Sequence, residues 1–129
     1  MRRHNAGFTL IELLIVVVII GLLAAIAVPK FSSTKEKAYT ATMKGDLHNL
    51  ATAQEAYWSG NSSYYNGTFP NPLMVYNPSV GVTVTITVAT AGGWAATASH
   101  ANSPVTCALF AGPVAPPPPA TIEGRIACQ

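Results

Sequence analysis

Phe8–Phe31 reads FTLIELLIVVVIIGLLAAIAVPKF, and its first 21 residues, Phe8 through Val28, are apolar apart from Thr9 and Glu12. A helix that crosses a bilayer needs about 20 mostly apolar residues, so this stretch is long enough to span one. Glu12 breaks the pattern near its start. An acidic side chain deep in a spanning helix costs on the order of 2.5–3.5 kcal/mol or more, and a plain anchor gains nothing from it. Glu12 therefore needs a positive partner.

The upstream segment MRRHNAG is short and basic and ends in Gly7. A secretory signal peptide is cut after its hydrophobic segment, whereas here the small pair Ala6-Gly7 lies before it. Cutting between Gly7 and Phe8 removes Arg2 and Arg3, keeps the apolar helix and creates an α-amino group on Phe8. That amine lies four residues from Glu12, about one helical turn. Along one rod the pair meets awkwardly. Between neighbouring chains with an axial offset, the amine of one neutralises Glu12 of the next.

Gly7-Phe8-Thr9-Leu10-Ile11-Glu12, the apolar run, Gly21, Pro29 and Phe31 closely resemble the N-terminus of bacterial type IV pilins and pseudopilins, and the short leader resembles the type IVa subclass. The resemblance is dense over residues 2–31, general to residue 58 and only architectural beyond. It implies a prepilin peptidase that cuts after Gly7 and N-methylates Phe8. It also implies that Glu12 guides docking into a helical homo-oligomeric filament built by inner-membrane assembly machinery. The fold it implies is α+β, a long N-terminal helix packed on a small antiparallel sheet.

Composition agrees with one small domain. Without Arg2 and Arg3, five Lys and Arg face five Asp and Glu, and no basic footprint for nucleic acid stands out. The leader arginines suit the positive-inside rule. The expected topology is a single-pass inner-membrane protein with a cytoplasmic N-terminus before assembly, and an extracellular filament after it.

The organisation expected is a leader at 1–7, a membrane or filament-core helix at 8–29, and an amphipathic helix at 30–58. A connecting loop at 59–79 and a sheet head at 80–129 complete the chain. Met43, Leu47, Leu50 and Tyr57 recur at helical spacing, so a helix over Phe8–Trp58 would run roughly 75 Å at about 1.5 Å per residue. Gly21 and Pro29 are its weak points, because proline removes a donor and clashes with the preceding turn. They are expected to let the helix melt locally when the subunit leaves lipid.

From Ser59 the chain turns to Ser, Asn, Gly and Pro, with turn signals at Asn66-Gly67, Phe69-Pro70, Asn71-Pro72 and Asn77-Pro78. The N-x-S/T triplets at Asn61 and Asn66 read as turn sequence. Val82, Val84, Ile86 and Val88 then alternate with threonines, predicting a strand with one apolar face. Trp94–His100 predicts its hairpin partner across Ala91-Gly92-Gly93. Val105–Ala111 predicts a third strand, and Thr121–Ala127 a short returning one. Two cysteines in an exported segment, Cys107 and Cys128, read as one disulfide. Its position resembles the disulfide that encloses the C-terminal variable segment of pilins, and here it encloses Pro116–Pro119.

No catalytic constellation emerges, so the chain does not read as an enzyme. His4, His48 and His100 lack metal-ligand spacing, and no cofactor motif is present. Glu36, Asp46 and Glu55 read as members of a solvated helix face or as partners of a neighbour's lysines. Ile122-Glu123-Gly124-Arg125 matches a laboratory protease site by coincidence. The expected function is a type IV pilus subunit serving adhesion, motility or DNA uptake, with host, surface or DNA ligands unspecified. The alternatives are a pseudopilin of type II secretion, a minor pilin, or a membrane-anchored ligand-binding module. The major secretion pseudopilin typically carries an acidic calcium site near its C-terminus, whereas the tail after Cys107 holds one acid, Glu123. An electron-conducting filament requires stacked rings, and Phe8, Phe31, Tyr39, Tyr57 and Trp58 are widely spaced in sequence.

Overall fold

A computed structural model of the chain describes residues 7–129; the leader expected at 1–7 lies outside them except for Gly7. One helix, α1 (Leu10–Asn61), precedes four strands: β1 (Val82–Ala89), β2 (Trp94–His100), β3 (Thr106–Ala111) and β4 (Ala127–Cys128). Residues 7–35 and Glu36–Gln129 form separate units. The second unit is the head.

In the head, α1 buries Met43, Asp46, Leu47, Leu50 and Gln54, the spacing of a single helix face. The strands form an antiparallel meander in the order β1-β2-β3-β4. Met43, Leu47 and Leu50 share a core with Trp94, Ala96 and Ala98 of β2, and with Cys107 and Leu109 of β3. Tyr57, expected on this face with Met43, Leu47 and Leu50, is only half-buried and packs edge-on against Tyr65 at 5.4 Å.

Two of the buried helix residues are polar, and both tie down the loop between helix and sheet. Gln54 Nε2 donates to the Tyr65 carbonyl at 3.0 Å, and its Oε1 accepts the Tyr65 N–H at 2.8 Å. The amide thus supplies the ladder partner that an isolated loop backbone lacks. Asp46 was expected on a solvated face, but it is 3% exposed. It accepts the Ser79 N–H at 3.0 Å and the Ser79 hydroxyl at 2.9 Å. Burial of a carboxylate is tolerable because these bonds replace water. Gln54→Ala leaves both Tyr65 backbone groups without these partners, and costs about 3 kcal/mol of head stability. Thermal unfolding of the detergent-solubilised chain by near-UV circular dichroism checks this.

The strands refine the expected pattern. β1 pairs with β2 in register from Val82↔His100 to Ile86↔Ala96, then shifts so that Val88 faces Ala95. Thr87 is the extra residue, and its hydroxyl donates to the Ala95 carbonyl at 3.2 Å. A one-residue bulge transfers the remainder of a strand's side-chain pattern to the other face. Val88 therefore leaves the apolar face predicted for it and joins Ala95, Ala108, Phe110, Val114 and Ala120 on the far side. This second, smaller core was not foreseen. It exists because the chain after β3 folds back over the outer face, bringing buried Pro117 and Ala120 with it. The returning strand expected over Thr121–Ala127 is reduced to Ala127–Cys128. Glu123, upstream of it, accepts the Gly112 N–H at 2.6 Å instead.

The helix runs past Trp58 and ends at Asn61, whose side-chain amide donates to the Tyr57 carbonyl at 2.9 Å. Ser62, with φ of 54°, takes the left-handed position that terminates it. Trp58 Nε1 donates to the Ala91 carbonyl at 2.9 Å, fastening the helix end to the β1–β2 turn. At the opposite end of the sheet, buried His100 stacks on Tyr39 with centroids 4.0 Å apart. Gly81 lies against that imidazole. A Cβ there would sit 2.7 Å from His100 Nε2, on a backbone whose φ is 83°, so both space and conformation require glycine.

Rings from the loop close gaps that the helix aromatics leave. Tyr57, Tyr65, Phe69 and Tyr76 succeed one another at 5.4, 5.7 and 4.9 Å, a run invisible in the spacing of the helix aromatics. Tyr76 ends it with a buried hydroxyl that has no hydrogen-bond partner among the described residues. Burial, reinforced by the charge of Asp46, pushes its phenol well above the usual range. An unfolded tyrosine ionises near about pH 10, so the folded chain retains a proton that the unfolded chain has lost above that pH. Stability from this source is intact below about pH 10 and falls as the pH rises further. Tyr76→Phe is expected to lessen that alkaline loss. At neutral pH it leaves stability unchanged or raises it by up to about 1 kcal/mol, since an unpaired buried hydroxyl is removed. Unfolding curves at neutral and alkaline pH measure both effects.

Candidate assembly site

The N-terminal unit presents its side chains outward. Phe8 is 81% exposed, and every large apolar residue from Leu10 to Val28 is exposed. The helix is long and apolar enough to cross a membrane by length and composition. Nothing among the described residues covers this surface.

Helix α1 starts with a reciprocal cap. The Thr9 N–H and hydroxyl both donate to Glu12 Oε2, at 2.8 and 2.6 Å, and the Glu12 N–H donates to Thr9 Oγ1 at 3.3 Å. This is a capping box, in which two end groups that the helix cannot satisfy are satisfied mutually. The carboxylate also sits at the helix end where the backbone dipole favours negative charge. Thr9 is absent from the site expected on sequence grounds, although Thr-x-x-Glu before an apolar run carries the signal. The box uses one carboxylate oxygen. Glu12 Oε1 has no hydrogen-bond partner among the described residues, so it remains able to accept from an ammonium group.

Gly7 precedes the cap, and a Cβ there would meet nothing within 4 Å, as is also true at Gly21. Glycine in a helix interior costs about 1 kcal/mol relative to alanine, and no contact among the described residues accounts for it at Gly21. Pro29 lies inside α1, which is continuous through both Gly21 and Pro29. Cys107 and Cys128 are disulfide-bonded. They are directly opposed across β3 and β4, next to the Thr106–Gln129 pair that exchanges backbone hydrogen bonds at 2.9 and 3.1 Å. They therefore occupy the non-hydrogen-bonded position, where opposed side chains stand closer.

The sequence is similar to known proteins. Residues 2–28 match the family model described as the prokaryotic N-terminal methylation motif. The type IV wide pilus major component PilA4 of Thermus thermophilus is 34% identical over 104 residues, 80% of this chain and 79% of that protein. Type II secretion system core protein G of Pseudomonas aeruginosa is 44% identical over 63 residues, 49% of this chain and 44% of that protein. Type IV major pilin protein PilA of Myxococcus xanthus is 48% identical over 61 residues, 47% of this chain and 28% of that protein. The aligned part thus spans less than half the length of these last two relatives. The methylation motif over residues 2–28 and a relative similar over about four fifths of both chains together define the class. The chain belongs to the type IV pilin and pseudopilin family.

Proposed function

We propose that this chain is a structural subunit of a type IV pilus, not an enzyme. A prepilin peptidase cuts between Gly7 and Phe8 and methylates the new Phe8 amine. The apolar helix holds the subunit in the inner membrane, N-terminus inward, until assembly machinery moves it into the filament. There the Phe8 amine of one subunit meets Glu12 of a neighbour. Gly21 and Pro29 serve the change from lipid to filament. The filament acts in adhesion, motility or DNA uptake.

The observation that carries the reading is an exposed apolar helix whose first turn holds a carboxylate with one oxygen unused. Gly7 supports the cut, because neither space nor contact inside the chain requires glycine there. Gly7→Leu is accordingly expected to leave the chain uncut in the membrane, with the head folded and filaments lost. Cutting of this variant at the wild-type rate contradicts the assignment of Gly7.

A pseudopilin of type II secretion is the second reading, favoured by the similarity to core protein G. The longer alignment with the wide-pilus component, which reaches well into the head, favours the pilus. Mechanical shearing of cells separates them. Processed chain abundant in the sheared filaments supports the pilus, whereas processed chain confined to membranes supports the pseudopilin.

A further inference from the structure

We infer that Asn66-Gly67 is a site of spontaneous modification, at which the Asn66 side chain loses ammonia and a carboxylate takes its place on the surface of the head. An asparagine reacts in this way when the backbone nitrogen of the next residue attacks its side-chain carbonyl carbon. The attacking N–H must be free, the asparagine side chain must be free to swing towards it, and the next residue must not crowd the ring that forms. Asparagine counts among the thermolabile residues.

The fold sorts the described asparagines by these requirements. Asn71 and Asn77 precede Pro72 and Pro78, which have no N–H to attack with. Asn49 lies inside α1, where the next N–H is held in the helical ladder. The N–H after Asn61, that of Ser62, donates to the Trp58 carbonyl at 2.8 Å. The N–H after Asn102, that of Ser103, donates to the His100 carbonyl at 3.0 Å. Asn66 differs from all five. It is exposed and lies outside helix and strand. Neither its side chain nor the Gly67 N–H has a hydrogen-bond partner among the described residues.

The glycine at 67 is fixed by packing. A Cβ there would run into the ring and hydroxyl of Tyr65, and that hydroxyl donates to the Thr68 carbonyl at 3.1 Å. Tyr65 thus demands the small residue that also leaves Asn66 unhindered.

The reaction balances with water as its co-reactant. A bond forms between Gly67 N and Asn66 Cγ, the Gly67 proton passes to solvent base, and the side-chain nitrogen departs as ammonia. Water then opens the resulting succinimide. Attack at Cγ breaks the new bond and gives aspartate. Attack at the main-chain carbonyl breaks the original peptide bond and gives isoaspartate, whose backbone runs through the side-chain carbons. Either product adds a negative charge to a chain in which five Lys and Arg balance five Asp and Glu once Arg2 and Arg3 are removed. Isoaspartate also inserts a carbon within the Tyr65–Thr68 span that the tyrosine hydroxyl closes.

The test incubates the purified full-length chain in detergent at mildly alkaline pH, folded and in urea, and follows each asparagine by peptide mass spectrometry. Electron-transfer fragmentation distinguishes isoaspartate from aspartate. In the folded chain Asn66 is expected to convert faster than Asn61 and Asn102 by at least about fivefold, the factor that one net hydrogen bond on the attacking N–H supplies. Urea frees the Ser62 and Ser103 N–H groups, so Asn61 and Asn102 speed up by about the same factor, while Asn66 changes little. Asn66→Gln keeps the loop chemistry but closes a larger, slower ring, and is expected to stay intact at residue 66. An Asn66 that survives unchanged, or an Asn61 or Asn102 that converts as fast in the folded chain, overturns the inference. Unaltered rates at Asn61 and Asn102 in urea overturn the protection assigned to the fold. The chemistry does not depend on assembly, so either result leaves the filament reading standing.

Discussion

Filaments are expected to disappear when Glu12 is replaced by glutamine, while the chain is still cut and still folded. Glutamine keeps the length of the side chain and can close the same capping box, since it accepts the Thr9 N–H as glutamate does. The helix start therefore survives, and only the negative charge is removed. An acid in hydrocarbon carries a penalty on the order of 3 kcal/mol, which in the proposed pairing a neighbour's Phe8 amine relieves on docking. Losing that difference weakens each docking step about a hundredfold, and a polymer repeats the loss at every contact. Thr9→Ala is the contrasting variant: it costs about 1 kcal/mol of helix capping but keeps the charge, and filaments persist. Electron microscopy of sheared material, with circular dichroism of the purified chain as the folding control, separates the two. Normal filaments from Glu12→Gln would contradict the pairing.

The second large effect concerns the head. Cys107→Ala/Cys128→Ala, or reduction of the native chain, is expected to lower head stability by about 3 kcal/mol, because the bond closes a loop of sequence separation 21. For a head of this size the melting temperature falls on the order of 15 °C. The structure adds a reason for the loss to spread. β4 is only two residues long, and the segment between the cysteines covers the outer core of Ala95, Ala108 and Phe110. Releasing the bond loosens that cover, and the alanine variant also removes the Cys107 sulfur from the core it shares with Met43, Leu47 and Leu50. Thermal unfolding with and without reductant decides it, and coincident curves would show that the bond contributes nothing.

Features with local or periodic signals were legible in the sequence. The apolar run, the buried Met43, Leu47 and Leu50, the hairpin and the cysteine pair are all visible as spacing or composition. The capping box is equally local, yet the charge of Glu12 points towards a distant partner and away from Thr9. Other features are hidden because they depend on tertiary register. Asp46 looks like any solvated acid until Ser79 is folded against it. Gln54 carries no mark of its reach to Tyr65. The bulge at Thr87 sits within an unbroken Val–Thr alternation, so nothing announces that Val88 changes face. The outer core depends on where the chain between the cysteines folds back, and its prolines and glycines have no period to read.

The N-terminus of the assembled protein bears most directly on the pairing of Phe8 with Glu12. Intact-protein mass spectrometry of sheared filaments measures it in one step. The mass expected is that of a chain beginning at singly methylated Phe8 and lacking two hydrogens at Cys107 and Cys128. A filament chain that still begins at Met1, or one with an unmodified Phe8 amine, would contradict the processing and assembly chemistry argued for Gly7, Phe8 and Glu12.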